Sequence, residues 1–306
     1  SPTAVMQYDA AKGWLVGAPH KGMAAMFTMM NNARLGVGMQ GVAVAEAALQ
    51  LALSYAQDRK QGNTPLGAGA IIDHADVRRM LAEMKAETFA ARAIGMACAV
   101  AIDMGRATGQ AEWQARAALL TPIAKAYGTD TGCHVAHLGV QVHGGMGFIE
   151  ETGAAQFSRD VRVTAIYEGT NGIQAMDLVA RKMMDNGEAA FRLIDEIQAT
   201  AEASRAALPD LATPVWSAAE ALREATETLL AQAMNDRFAG AVPYQRAFAR
   251  VLGAHFHLIA ARAEAQREPL ARFAIRRLLP EHAALLAQMR EGAAGVYAVT
   301  PDLLAL

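Results

Sequence analysis

The run Ala165-Ile166-Tyr167-Glu168-Gly169-Thr170-Asn171-Gly172-Ile173-Gln174 sets one carboxylate between a β-branched, aromatic stretch and a Gly-Thr turn. Flanked by Ile166 and Tyr167, Glu168 is expected to be partly desolvated, which raises a carboxyl pKa towards the range of a general base. Gly169-Thr170 breaks the extended run and brings backbone N–H groups and a hydroxyl close to the carboxylate, before Ile173, Met176 and Val179 begin a helical period. By itself a Glu-Gly-Thr also reads as an acid that complements the dipole of the helix it precedes.

Three further segments carry candidate chemistry. Gln141-Val142-His143-Gly144-Gly145-Met146-Gly147-Phe148 places three glycines within four residues after an apolar helix, so backbone can approach a ligand there. A Gly-rich helix end reads the same way, and nothing asks His143 to act as a second base. Met29-Met30-Asn31-Asn32-Ala33-Arg34 opens a long apolar-periodic segment, whose arginine either faces a ligand or snorkels from a helix packed on its other side. Tyr55-Ala56-Gln57-Asp58-Arg59-Lys60-Gln61 ends that segment, and a guanidinium such as that of Arg59 matches phosphate geometry bidentately.

Together these words resemble the acyl-CoA dehydrogenases, with Tyr-Glu-Gly-Thr-x-x-Ile-Gln similar to the family's catalytic segment. The resemblance covers about residues 14–184, and residues 187–306 only by branch. It implies FAD-dependent α,β-dehydrogenation of an acyl-CoA thioester, with Glu168 as the α-proton base and the β-hydride passing to the flavin. It implies Arg59 at the FAD pyrophosphate of a neighbouring subunit, Gln141 and Gly145 at the flavin adenosine, and Thr170 at the cofactor. Arg34, Asn31, Tyr167 and Gly169 become substrate-side candidates. Gln61-Gly62-Asn63 stands where many members have Phe-Gly, and Gly172 where several have Gln, so two side-chain contacts to FAD are missing or supplied elsewhere. The wording from Met26 to Arg34 and the extra C-terminal region are most similar to the 3-methylmercaptopropionyl-CoA dehydrogenase-like branch. An electron-transferring flavoprotein as acceptor and a homodimer or homotetramer are further implications.

The elements that must position these residues read as mainly helical. Short β-like runs, Val5–Tyr8 and Trp14–Val16, suggest a hairpin or the tail of a sheet. Long helices are expected from Met23 to about Gln57, from an N-cap at Asp73 to about Thr108, and from Ala111 to Gln141, where Pro122 marks a kink or boundary. The Glu168 segment starts a fourth, which makes an antiparallel bundle. After Asn186-Gly187, Ala-rich helices are expected at about 188–206, 215–239, 243–266 and 269–290. The fold class is mainly α: residues 1–20 the tail of a central β-domain, 21–186 a four-helix bundle of the acyl-CoA dehydrogenase C-terminal type, 187–306 an additional helical domain. The family's N-terminal helical and central β-domains are not in this sequence, so it reads as a C-terminal fragment, inactive alone.

The remaining classes are narrowed by composition. A chain of 306 residues, 53% hydrophobic, can bury a large core, and a formal net charge of −2 argues against a general polyanion binder. Cys98 and Cys133 have neither metal-ligand nor Cys-x-x-Cys spacing, which points to a reducing, cytoplasmic setting. No basic, apolar leader is visible, and stretches such as Ile94 to Met104 fall short of the roughly 20 apolar residues that span a bilayer. The arginines between Arg237 and Arg290 make the last third locally basic. They read as a solvated face or intersubunit ion pairs, with a DNA-associated flavoprotein or a bare oligomerisation bundle as rivals.

Overall fold

The computed structural model describes residues 4–67 and 69–305, without the side chain of Asn31. Three long helices dominate the first half: α1 (Gly22–Asp58), α2 (Ala75–Thr108) and α3 (Ala111–His143). Glycine at φ 69°, a left-handed angle that Gly109 adopts without a Cβ penalty, ends α2 and lets the chain reverse into α3. Pro122 marks no boundary, since α3 runs on through it; its carbonyl accepts a hydrogen bond from Gln245 Nε2 at 3.0 Å. Asp73 is not the N-cap of α2: it closes a short 3-10 turn and accepts from Arg78, and His74 takes the cap position one residue later.

After α3 come short helical turns, then α4 (Ala154–Val161) and α5 (Asn171–Ala180). The helix α4 was not expected, because its apolar positions Ala154, Phe157 and Val161, though at helical spacing, span only about two turns. The last third is α6 (Glu188–Ser204), α7 (Pro209–Ala231), α8 (Ala241–Ala263) and α9 (Glu281–Arg290). Pro209 sits in the first turn of α7, where its missing N–H has no partner to lose, so that helix begins six residues before the expected start. No strand occurs among the described residues. The hairpin expected from Val5–Tyr8 and Trp14–Val16 does not form, and Val5 and Trp14 are 100% and 87% exposed. Two short runs alone bury too little to hold a ladder.

The closest packing is between α1 and α3. A Cβ added to Gly38 would lie 2.7 Å from the Ala124 carbonyl oxygen, one on Gly41 2.2 Å from that of Gly128, and one on Gly132 2.7 Å from that of Gly41. The matched order of these contacts makes α1 and α3 parallel neighbours, with α2 antiparallel between them: Met39 meets Gly95 while Met84 meets Gly139. Beyond the glycines, Ala45, Ala48, Ala52, Met84, Val135 and Leu138 continue the core along α1, α2 and α3. α1 and α2 each hold a window of mean hydropathy 1.3, long and apolar enough to cross a membrane, and 44% of each window is buried here.

The later helices share a core with the bundle, since Ile94, Leu119 and Ile123 join Leu178, Ile194, Leu222 and Phe248 in one cluster. A buried charged link spans the same junction: Glu87 of α2 accepts from Tyr127 of α3 and from Arg250 of α8, whose Nε donates to Glu281 at 2.6 Å. Several other arginines of this half form more exposed contacts. Arg223 pairs with Asp195, Arg246 with Glu281, Arg272 with Glu268, and Arg237 donates to the carbonyls of Leu230 and Gln232. The pairs of Arg246 and Arg272 lie within one chain, where a solvated face or intersubunit pairs were expected, and both arginines remain half-exposed.

Two outcomes are expected. Gly41→Ala should destabilise the fold by about 2 kcal/mol or more through overpacking, whereas Gly36→Ala, whose Cβ meets nothing within 4 Å, should stabilise by about 0.5–1 kcal/mol; denaturant midpoints of the two variants check this. His255 and His257, buried in α8, have pKa values pushed down to about 4 by desolvation. Their unfolded rings take protons near pH 6.5 and the folded rings do not, so their stabilising contribution is full above 6.5 and falls as pH drops towards 4. The melting temperature should decline across that window, and His255→Leu, which also removes a buried Nδ1 without a partner, should flatten the decline.

Candidate functional site

Glu168 and Gly169 are consecutive residues in the left-handed region, at φ 57° and 84°. For glutamate this conformation costs on the order of 1 kcal/mol, so the surroundings must impose it. The chain enters through a 3-10 turn, Arg162–Ala165, and leaves into α5, where Thr170 is the N-cap and its Oγ1 accepts from the Ile173 N–H at 3.4 Å. Gln174, fully buried on the first turn of α5, reaches back: its Nε2 donates to the Glu168 carbonyl at 3.2 Å and the Gly169 carbonyl at 3.4 Å. From α3, Lys125 Nζ donates to the Gly169 carbonyl at 3.0 Å and to Asn171 Oδ1 at 2.9 Å. Both carbonyls of the left-handed pair are thus held inward, and the Glu168 side chain remains half-exposed. The desolvation expected from its neighbours is not supplied by these helices, because Ile166 is itself 50% exposed.

The other substrate-side candidates gather at this end. Tyr167 donates its hydroxyl to Gln40 Oε1 on α1. Arg34, buried on α1, pairs with Asp177 Oδ2 at 3.3 Å, and Asp177 Oδ1 also accepts from Arg181 Nε at 2.5 Å. Neither snorkelling nor an open ligand contact describes Arg34: it is a buried cation on a carboxylate of α5, with no partner for its Nε among the described residues. Asn31 lies one turn earlier, and its side chain is outside the described residues.

The residues that sequence reasoning passed over are Lys125, Asp130, Asn171 and Gln174. Asn171 Nδ2 donates to Asp130 Oδ1 at 2.7 Å and to Thr129 Oγ1 at 2.9 Å, which orients its oxygen towards Lys125. Burial pushes the Lys125 ammonium down to about 8, against the attraction of Asp130 and Glu168 and with the repulsion of Arg34. Partial desolvation by its neighbours pushes the Asp130 carboxyl up, opposed by the Asn171 hydrogen bond, although the residue reaches the surface. One signal was available: Lys125 is a lone charge in the otherwise uncharged run from Ala117 to Thr129. Behind Asp130 and Asn171 lies a recess of about 660 Å³ between α2, α3 and α8, walled also by Glu83, His134 and Arg250.

The remaining cofactor candidates sit at the far ends of α1 and α3. Arg59 follows nineteen residues after Gln40, or about 28 Å at 1.5 Å per residue. It is exposed at the C-cap of α1, touches Gln61 Oε1 at 3.4 Å, and lines an open cleft of about 420 Å³ with Tyr55, Asp58, His143 and Thr152. His143 stacks on Tyr55 with centroids 4.3 Å apart and bonds the Gly139 carbonyl, a structural role. Gln141 is exposed, and a Cβ at Gly145 would meet nothing within 4 Å, whereas one at Gly147 would lie 2.3 Å from the Val140 carbonyl oxygen. Gly145 is therefore open to a ligand and Gly147 is a packing residue. Among the described residues no group of three His, Cys, Asp or Glu could hold a metal ion.

Residues 20–184 match the family model "Acyl-CoA dehydrogenase, C-terminal domain", and residues 193–300 match "Acetyl-CoA dehydrogenase C-terminal like". The chain belongs to the acyl-CoA dehydrogenase family. It is 47% identical over 80% of its length to 3-methylmercaptopropionyl-CoA dehydrogenase of Ruegeria pomeroyi, covering 44% of that protein. It is 36% identical over 62% of its length to a butyryl-CoA dehydrogenase of Syntrophomonas wolfei, covering 33% of it. The chain thus spans less than half the length of these relatives. Its fold is that of Caenorhabditis elegans ACDH-11 in complex with C11-CoA, at TM-score 0.75 and 19% identity over 86% of this chain and 46% of that one. It is also that of a Bacillus anthracis acyl-CoA dehydrogenase complexed with FAD, at TM-score 0.72 and 18% identity over 93% of this chain and 52% of that one.

The left-handed geometry has a direct test. Glu168→Gly should leave the melting temperature unchanged or raise it, and Glu168→Val should lower stability by about 2 kcal/mol, because a β-branched side chain tolerates that region least.

Proposed function

We propose that the full-length protein carries out FAD-dependent α,β-dehydrogenation of an acyl-CoA thioester, with Glu168 as the base that removes the α-proton. The observation that carries this is the strained, half-exposed Glu168, whose own and following carbonyls are tied inward by Gln174 and Lys125. A carboxylate held in that way is preorganised for proton transfer without moving its backbone. The Glu168 N–H donates to no group among the described residues, so it is free to polarise a thioester carbonyl, an oxyanion-type contact that grows stronger as the α-carbon loses its proton. Tyr167 and Gly169 flank that position, and Arg34 supports it through Asp177.

The residues present fit FAD. Arg59 offers an exposed guanidinium beside an open cleft, which suits a pyrophosphate, and Gln141 and Gly145 leave room for an adenosine. When bound, the flavin would accept the β-hydride. Thr170, at the start of α5, stands with Glu168 near the Gln40 level of α1, and Arg59 lies about 28 Å further along that helix from Gln40. The two groups therefore serve two different flavins, as in a homodimer in which each chain completes its partner's site. An electron-transferring flavoprotein is the proposed electron acceptor.

Anaerobic titration of the full-length gene product with saturated acyl-CoA thioesters tests this reading, with 3-methylmercaptopropionyl-CoA and butyryl-CoA in the panel because relatives are named for them. Bleaching of the flavin is expected with at least one thioester, and its loss in Glu168→Gln with flavin still bound. Flavin that no thioester bleaches would overturn the assignment. Residues 1–306 alone are expected to retain no stoichiometric flavin through gel filtration.

A further inference from the structure

Lys125 is fully buried, yet among the described residues its ammonium has no carboxylate within 4 Å and bonds a carbonyl and an amide oxygen. Burying a cation against neutral acceptors alone costs free energy that Met or Leu at this position would not incur. The lysine is therefore poorly explained as a stabilising residue. Its bonds go to the loop that carries Glu168: the Gly169 carbonyl directly, and the first residue of α5 through Asn171. Asn171 is in turn fixed by Asp130 and Thr129, so its amide cannot turn without breaking bonds to α3. The charged groups facing Lys125 are Arg34 from α1, already matched by Asp177 of α5, together with Asp130 from α3 and Glu168 from the loop.

We propose that Lys125 is a positioning residue for Glu168: its ammonium, oriented by Asn171 and Asp130, clamps the Gly169 carbonyl and so sets where the carboxylate meets the substrate α-carbon. This rests on Glu168 being the base. The clamp acts on the main chain next to the carboxylate and touches neither substrate nor flavin. Its loss should slow the chemical step and leave binding nearly intact. A displacement of the base by about 1 Å costs on the order of 10²-fold in rate.

The test uses the full-length gene product and the thioester that bleaches it, comparing Lys125→Met, Lys125→Arg and Asn171→Ala with the parent. Lys125→Met should lower kcat about 100-fold with KM within about threefold, flavin retained and the melting temperature unchanged or raised. Lys125→Arg should recover at least about tenfold over Met, because a guanidinium keeps the charge and the donors. Its kcat should also keep no alkaline decline near pH 8, whereas the parent should lose activity as Lys125 deprotonates there. Amide hydrogen exchange over residues 166–174 should quicken in Lys125→Met and in Asn171→Ala, a readout independent of turnover. A Met variant with kcat within about twofold of the parent, or with flavin, melting temperature and kcat lost together and no rescue by Arg, would overturn the clamp. Should Lys125→Met not fold, unaltered kcat and exchange in Asn171→Ala would do the same. Failure of the base assignment looks different: Glu168→Gln would keep turnover while exchange in Lys125→Met still quickened.

Discussion

The backbone-to-backbone contact between α1 and α3 is the constraint on which the rest depends. Side chains normally keep helix axes 8–10 Å apart, and the removal of Cβ atoms at Gly38, Gly41, Gly128 and Gly132 lets these two approach until carbonyls stand where side chains would be. The pair is parallel, so residues at one level of α1 face residues at the same level of α3. Arg34, Gln40, Lys125 and Asp130 are brought together by that register and by nothing in their sequence spacing. A methyl group at Gly41 would push the helices apart and shift the Lys125 end of α3 relative to the loop it holds.

On that platform the fold sustains two unfavourable features side by side. One is a glutamate in the left-handed region; the other is a buried ammonium without an ion partner among the described residues. Each is compensated by the other's neighbourhood: the Lys125 bond to Gly169 holds the strained turn, and the turn's carbonyl and Asn171 satisfy the lysine. Large hydrophobic burial behind them supplies the margin. Ile123 of α3 and Leu178 of α5 belong to the core shared with α6, α7 and α8, so the later helices brace the elements on both sides of the loop.

The Glu87–Tyr127–Arg250–Glu281 link shows the same economy at the junction with the later helices. Four groups that would be costly if buried singly are joined across α2, α3, α8 and α9. It gives one arginine of the locally basic last third, Arg250, a buried destination. Of the basic residues that composition puts on an outward face, Arg250 is turned inward, while Arg246 and Arg272 keep to the surface in exposed ion pairs.

Much of this was legible in the residues. Apolar spacing at three and four residues marks α1, α2 and α3 to within a few positions, and Gly109 and Gly144 end the last two where glycine relieves the left-handed or otherwise restricted turn. Tyr167-Glu168-Gly169-Thr170 pointed to the loop, since a carboxylate beside glycine at a helix start is a local pattern. Local pattern fails where partners are distant in the chain. Arg34 meets Asp177 across 143 positions, and Lys125 meets Gly169 across 44. Short helices such as α4 were missed because eight residues span only about two turns, too short a window for their period to stand out. By itself the sequence located the long helices to within a few residues and singled out Glu168 as the candidate carboxylate, because those depend on neighbours within a turn or two. Tertiary structure alone decided what holds the carboxylate, because that depends on which helix faces meet once the glycine seam closes.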